Sequence, residues 1–245
     1  PAYISKVGES AGKMYGFVYE GTYKYEDFDT SVNEKGETVY KLKEGIPYYT
    51  ANTQPGDPKY KNMDENLQIN DADKVAIGNG QPKHTGGFTN NFTYKNFDLN
   101  IFMTWSYGND ILNANRMIFE NPSSKQNTNM FATYVNRWTE SNPYSDMPRA
   151  KAQGAGEYSS LYVEDGSFLK LKNITLGYNF KPKTLHPLHI NSARVYVSAE
   201  NIATISSYSG SDPEVSTRNS VLTPGFDWSA YPRAFNLSLG LNVTF

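Results

Sequence analysis

The sequence predicts an all-β chain, the C-terminal strands of a large antiparallel transmembrane β-barrel with long outer loops. Three observations predict it. At residues 235–245 every odd position is apolar (Phe235, Leu237, Leu239, Leu241, Val243, Phe245), while Asn236, Ser238, Gly240, Asn242 and Thr244 between them are small or polar. Successive side chains of a strand point to opposite faces, so this segment has one greasy face and one wet face. The same alternation recurs in segments upstream. Finally, the connections between these segments alternate between short and long, as periplasmic turns and outer loops of a membrane barrel do. A soluble sheet also has half-buried alternating strands, but these are mostly about 5–6 residues long, whereas a tilted membrane strand needs about 9–11.

The elements follow in order. Residues 12–24 carry Met14, Tyr15, Phe17, Val18 and Tyr19 and read as the weakest strand. Residues 85–94 put Phe88, Phe92 and Tyr94 on one face with Asn90, opposite Thr85, Gly87, Thr89, Asn91 and Thr93. Residues 97–107 set Phe97, Leu99, Ile101, Met103, Trp105 and Tyr107 against Asp98, Asn100, Phe102, Thr104 and Ser106. Lys95-Asn96 between these two is a two-residue hairpin connection. In residues 169–180 the apolar phase shifts from Leu169 and Leu171 to Ile174, Leu176, Tyr178 and Phe180, which one extra residue near Asn173 explains as a β-bulge. Residues 193–203 oppose Ala193, Val195, Val197 and Ala199 to Arg194, Ser198 and Glu200, and residues 233–245 form the last strand.

With Phe245 on the periplasmic side, connections 95–96 and 181–192 are the inner turns, and 25–84, 108–168 and 204–232 are the outer loops. Tyr94, Phe97, Tyr178, Phe180 and Phe245 then fall at inner ends and Trp105 and Tyr107 at an outer end, the places of aromatic girdles. Six strands do not close a barrel, since single-chain barrels start at about 8, and an open edge in lipid leaves backbone groups unpaired. The expectation is that residues 1–245 are one C-terminal part of a larger barrel, begun at Pro1 in mid-pattern. In the loop 108–168, Met130, Tyr134 and Trp138 recur at i, i+4, i+8 beside Phe131 and Val135. Asn127 or Thr128 can cap them, so a short loop helix is expected.

Composition narrows the function classes. Only 38% of residues are hydrophobic and no apolar run reaches about 18 residues, so no transmembrane helix is expected. Aromatics make up 14%, which suits membrane girdles and also a sugar-binding β-protein. A net charge of −2 without a basic block gives nucleic-acid binding no electrostatic support, and the lack of Cys excludes disulfides and thiolate metal sites.

Several motifs, in order, carry a family resemblance: Pro55-Gly-Asp-Pro-Lys-Tyr60, Pro82-Lys-His-Thr-Gly-Gly-Phe88, Asn91-Phe-Thr-Tyr-Lys-Asn-Phe-Asp-Leu99, Tyr107-Gly-Asn-Asp110, Arg137-Trp138, Tyr162-Val-Glu-Asp-Gly-Ser-Phe168, Glu200-Asn201 and Tyr208-Ser-Gly-Ser-Asp-Pro-Glu214. Together with residues 6–17 they resemble the C-terminal region of the SusC/RagA-like TonB-linked outer-membrane receptors of Bacteroidetes. The resemblance implies a barrel of about 22 strands with an N-terminal plug that has no counterpart in these residues. It implies active import of oligosaccharides or peptides across the outer membrane, a SusD-like lipoprotein over the mouth, and energy from the TonB complex. It implies no enzymatic activity.

One loop has metal-ligand spacing. Asn62, Asp64 and Asn66 stand at positions 1, 3 and 5 of a calcium-type loop, Gln68 offers its carbonyl at 7, and Asp73 stands at 12. Asn at position 1, Leu67 in place of the turn Gly, and Asp rather than Glu at 12 are departures from that pattern. His186 and His189 flank a Pro-Leu pair in an inner turn without an evident third zinc ligand. Two rival readings stand beside the importer. One is a soluble, secreted carbohydrate-binding β-sandwich. The other is a surface glycoside hydrolase using a carboxylate pair such as Glu164 and Asp165.

Overall fold

The computed structural model describes residues 1–121, 129–214, 216–217 and 220–245. Its strands are, in chain order, β1 (Tyr3–Ile4), β2 (Lys13–Gly16), β3 (Tyr19–Thr22), β4 (Phe28–Val32), β5 (Thr38–Leu42), β6 (Pro58–Tyr60), β7 (Val75–Asn79), β8 (His84–Tyr94), β9 (Phe97–Tyr107), β10 (Asp110–Asn113), β11 (Val163–Asp165), β12 (Phe168–Asn179), β13 (Ser192–Ser206), β14 (Phe226–Asp227) and β15 (Asn236–Thr244). Among the described residues two short α-helices join them, α1 (Ala114–Phe119) and α2 (Pro182–Leu185). None of the described helices is long and apolar enough to cross a membrane, which says nothing against crossing by strands. The chain divides into two compact units.

The unit made of residues 82–110, 165–215 and 230–245 is built on one antiparallel sheet of five strands in the order β15-β13-β12-β9-β8. Residues directly opposite one another in such a sheet share a face, so the apolar positions form continuous rows. One row runs Leu239, Val197, Leu176, Leu99, Phe92, and the next Leu241, Val195, Tyr178, Phe97, Tyr94. A third runs Leu237, Ala199, Ile174, Ile101, with Asn90 as its only polar member. This face is open: Leu239 is 80% exposed, Leu237 66% and Phe92 55%. A soluble sandwich would bury these rows against a second sheet; a strand wall in a bilayer leaves them to lipid.

Register confirms the connection pattern. The hairpin β8–β9 closes from Tyr94 to Phe97 through Lys95-Asn96, with Lys95 at φ 55°. The other inner turn contains α2 and returns to pair Asn179 with Arg194. The long connections 108–168 and 204–232 leave the opposite end, where His84 pairs with Tyr107 and Phe168 with both Ser106 and Ser206. The predicted bulge is present, with the register of β12 shifting between Leu171 and Asn173 against both neighbours. It allows Leu169 and Leu171 to share the apolar face with Ile174 and Leu176. Aromatic rings mark both ends: Phe97 lies 4.9 Å from Tyr178 and Tyr178 5.2 Å from Phe180, while His84 stacks on Tyr107 at 5.1 Å.

The other unit holds residues 1–81, 111–164 and 216–229 in small sheets around two aromatic-rich cores. Met14, Leu112, Tyr162 and Phe226 form one core, and Phe17, Tyr60 and Ile69 the other. Here the structure corrects two expectations. Residues 12–24 do not belong to the five-stranded wall; they break into β2, which pairs with β1 and β7, and β3, which pairs with β6. Met14 and Phe17 are both buried, in different cores, and Gly21 at φ 98° bends the chain, so no lipid-facing strand forms. Residues 130–138 form no α-helix. Only Ala132–Asn136 makes a short 3-10 turn, bounded by extended Phe131 and by Arg137 at ψ 161°. Trp138 leaves the helical path because its indole packs over Gly56 and against Tyr25. The capping residues expected for this helix, Asn127 and Thr128, lie outside the described residues.

Candidate functional site

The polar face of the five-stranded sheet is the site this fold constructs. Across four strands one row reads Asp98, Gly177, Tyr196, Gly240. The two glycines have a steric reason. A Cβ at Gly177 would sit 2.4 Å from Nη2 of Arg194 and 2.6 Å from Oδ2 of Asp98, and one at Gly240 would sit 2.2 Å from Cζ of Tyr196. Both large side chains therefore lie along the sheet. Arg194 reaches across β12 and donates from Nε to Oδ1 of Asp98 at 3.2 Å, while its guanidinium stacks 5.0 Å from the Tyr196 ring. Asn179 donates to the same carboxylate at 2.8 Å.

A hydroxyl and amide layer follows. Asn100 donates to Asn91 at 2.7 Å, Thr175 and Ser198 share a hydrogen bond at 2.8 Å, and Asn173 donates to Ser198 at 3.0 Å. Toward the loop end lies an ion cluster. Lys170 on β12 has its side chain 3% exposed and places Nζ 3.3 Å from Asp212 and 3.0 Å from Glu214. Lys172, the residue skipped at the bulge, reaches Glu214 at 2.9 Å, and Arg233 approaches the same carboxylate at 3.5 Å.

Burial alone would raise the carboxyl pKa of Asp212, but the N–H groups of Glu214 and Arg233 and the Lys170 ammonium outweigh it and hold the group below the usual range. Glu214 is likewise pushed up by burial and brought below its ordinary value by Lys172, Lys170 and Arg233. Sequence reading named Asp212 and Glu214 only as loop carboxylates. Their partners are 42 and 44 residues away, and no local spacing signals that pairing.

The loop 62–73 brings its five candidate ligands into one turn-rich segment. Oδ1 of Asn62 accepts from the Asp64 N–H at 3.1 Å, Oδ1 of Asp64 from Asn66 at 3.0 Å, and Oδ1 of Asn66 from Gln68 at 2.9 Å. The Gln68 carbonyl accepts from Asn70 Nδ2, and buried Asp73 accepts from the Met63 and Asn70 N–H groups at 2.7 and 2.8 Å. Among the described residues no group of three or more His, Asp or Glu is arranged to hold a metal ion, and that holds for His186 and His189. Glu164 accepts from Asn113 and pairs with Arg116 at 3.2 Å. The Ser167 hydroxyl and N–H hold the Asp165 carboxyl below its usual range. Both carboxylates are thus tied into local structure.

Comparison with known proteins agrees with this wall. TonB-dependent receptor P3 of Formosa agariphila is 33% identical over 247 residues, covering 99% of this chain and 23% of the relative. TonB-dependent receptor SusC of Bacteroides thetaiotaomicron is 30% identical over 202 residues, covering 80% of this chain and 18% of the relative. Over nearly its whole length the chain is similar to TonB-dependent receptors, SusC among them. It spans about a quarter of the length of the curated relatives it matches. No family model matches the chain. Among solved structures, the RagAB peptide importer in its open-open state superposes with TM-score 0.71 at 22% identity, over 100% of this chain and 23% of that one. The RagAB peptide transporter superposes with TM-score 0.65 over 95% of this chain. At that identity the likeness is one of fold, and this chain shares the architecture of a barrel wall.

Proposed function

We propose that the receptor containing this chain imports a polar nutrient, an oligosaccharide or a peptide, across the outer membrane with TonB-supplied energy. The observation that carries this reading is the two-faced sheet: an open apolar face suited to lipid, backed by a layered polar face of Asp98, Arg194, Asn100, Thr175 and Ser198. A hydrated solute can exchange hydrogen bonds along such a wall. The names of the relatives, TonB-dependent receptors and a peptide importer, support the same class. A SusD-like surface lipoprotein is the partner we propose at the outer loops, since SusC and RagA are related to this chain. Calcium on the loop formed with Asn62, Asp64, Asn66, Gln68 and Asp73 belongs to the proposal as a structural ion, to be checked by calcium titration of the intact receptor.

The test is uptake. Cells lacking the receptor gene, and cells carrying it, are given fluorescent oligosaccharides and peptides with and without a protonophore. Accumulation that needs both the gene and the proton-motive force is expected for one of the two cargo classes. Equal accumulation in the deletion strain for every cargo would refute the proposal.

A further inference from the structure

A cleft of about 330 Å³ opens in the unit formed by residues 1–81, 111–164 and 216–229, between the end of β5 and the loop that follows. Its size falls within the range of small-ligand sites, about 300–1,000 Å³. The walls are Leu42, Ile46, Tyr48 and Leu67, and the rim carries Lys41, Lys43 and Glu44. The cleft is preformed. Tyr48 N–H donates to the Leu67 carbonyl at 2.9 Å and Ile69 N–H to the Tyr48 carbonyl at 2.8 Å, which clamps the two walls together. On the rim, Lys43 donates from its backbone to Asp27 and from Nζ to the Glu26 carbonyl at 2.8 Å, and Gly45 makes the turn at φ 83°.

The chemistry of the lining selects among ligands. A sugar ring needs several hydrogen-bond partners in its site. The two threonine hydroxyls here have their one donor each committed, Thr53 to the Thr50 carbonyl and Thr50 to Gln153, both at 2.7 Å, and can only accept. What the cleft offers is apolar area, with Leu67 42% exposed, and uncompensated charge at the rim. Among the described residues neither Lys41 nor Glu44 makes an ion pair, and Lys43 meets only a carbonyl. Two cations and one anion around an apolar hollow complement a ligand that has an apolar side chain beside a carboxylate, and an ammonium further along.

We propose that this cleft binds the C-terminal end of a short peptide, with the last side chain among Leu42, Ile46, Tyr48 and Leu67 and the terminal carboxylate facing Lys41. It names a ligand class for one site and rests on the importer reading. Binding can be measured without transport, so the two fail separately: uptake can proceed through a receptor whose cleft takes no peptide, and the cleft can bind in a receptor that transports nothing.

The experiment is calorimetric titration of the intact receptor in lipid nanodiscs, which removes detergent as a competitor for an apolar hollow. The probes are Gly-Gly-Leu, its C-terminal amide, Gly-Gly-Gly and maltotriose. Gly-Gly-Leu is expected to bind about tenfold more tightly than Gly-Gly-Gly, from burial of one leucine side chain. The amide is expected to bind about threefold more weakly than the acid, as befits one exposed ion pair. Lys41→Gln, a surface change that leaves the fold intact, should erase the acid–amide difference, and Ile46→Ser should weaken Gly-Gly-Leu while leaving that difference. Displacement of Gly-Gly-Leu by maltotriose, equal affinity for Gly-Gly-Leu and Gly-Gly-Gly, or an acid–amide difference that survives Lys41→Gln overturns the proposal.

Discussion

The ring of Tyr196 on β13 lies flat over Gly240 of β15, its directly opposed partner, so closely that a single added carbon at position 240 would stand 2.2 Å from Cζ. The glycine is thus a seat for the ring, and the ring in turn shields a backbone that has no side chain of its own.

Gly240→Ala should therefore destabilise the wall although alanine suits a strand better than glycine. The displaced ring loses its seat and its stacking on Arg194, an overpacking effect of about 1–3 kcal/mol. Thermal unfolding of the intact receptor should show a lower midpoint for Gly240→Ala, and Gly240→Ala combined with Tyr196→Ser should recover part of it. No recovery in the double variant would show that the ring is not the cause.

The two faces of β15 give a second comparison. Leu239, 80% exposed, is on the apolar face, and Ser238 next to it is on the polar one. Arginine on the lipid side near mid-membrane costs about 2–4 kcal/mol, while the lumen side tolerates charge. Leu239→Arg should reduce folded receptor in the outer membrane strongly and Ser238→Arg only slightly, read by surface labelling. In a water-soluble sheet with both positions exposed the two changes would behave alike.

Removing Lys170 tests the ion cluster. Its ammonium is buried between Asp212 and Glu214, and deleting one partner of a buried charge set leaves the others uncompensated, at a cost of about 3–5 kcal/mol. Glu214 keeps Lys172 and Arg233, so the effect should fall at the low end of that range. Lys170→Met should make the loop around residues 207–214 sensitive to limited proteolysis before any global unfolding, and Lys172→Met much less so.

The same cluster sets an acid limit. The carboxyls of Asp212 and Glu214 are held below their ordinary values in the folded chain. A depressed folded pKa gives stability that is fully present above the unfolded value, about 4, and is lost as pH falls through the folded value. The stability gap between the natural receptor and Asp212→Asn should stay constant from about pH 8 to 5 and close below about pH 4. A gap that closes between pH 7 and 6 would point to another titrating group.

Much of the wall was legible because it obeys a period of two over many residues. The limits of β9, the Lys95-Asn96 turn and the slip near Asn173 all follow from which positions between Phe88 and Phe180 are apolar. The other unit was not legible in the same way. Its strands are two to five residues long, too short for alternation to show, and its pairings join distant segments, as Leu112 on β10 does with Phe226 on β14. Trp138 illustrates the failure. Its spacing from Met130 and Tyr134 imitates a helix face, yet its position is decided by Tyr25 and Gly56, more than 80 residues away. The polar wall was read as wet residues, but the seats at Gly177 and Gly240 depend on cross-strand neighbours that only register reveals.

The slip in β12 also bears on how this strand can change over time. It divides the strand into two reading frames of hydrophobicity, one ending at Leu171 and the other beginning at Asn173. Losing or gaining a single residue elsewhere in the strand would invert one frame, turning Lys170 toward lipid or Leu176 toward the lumen. Substitutions in β12 can therefore accumulate one at a time, whereas a length change survives only where it restores the phase on both sides of Lys172.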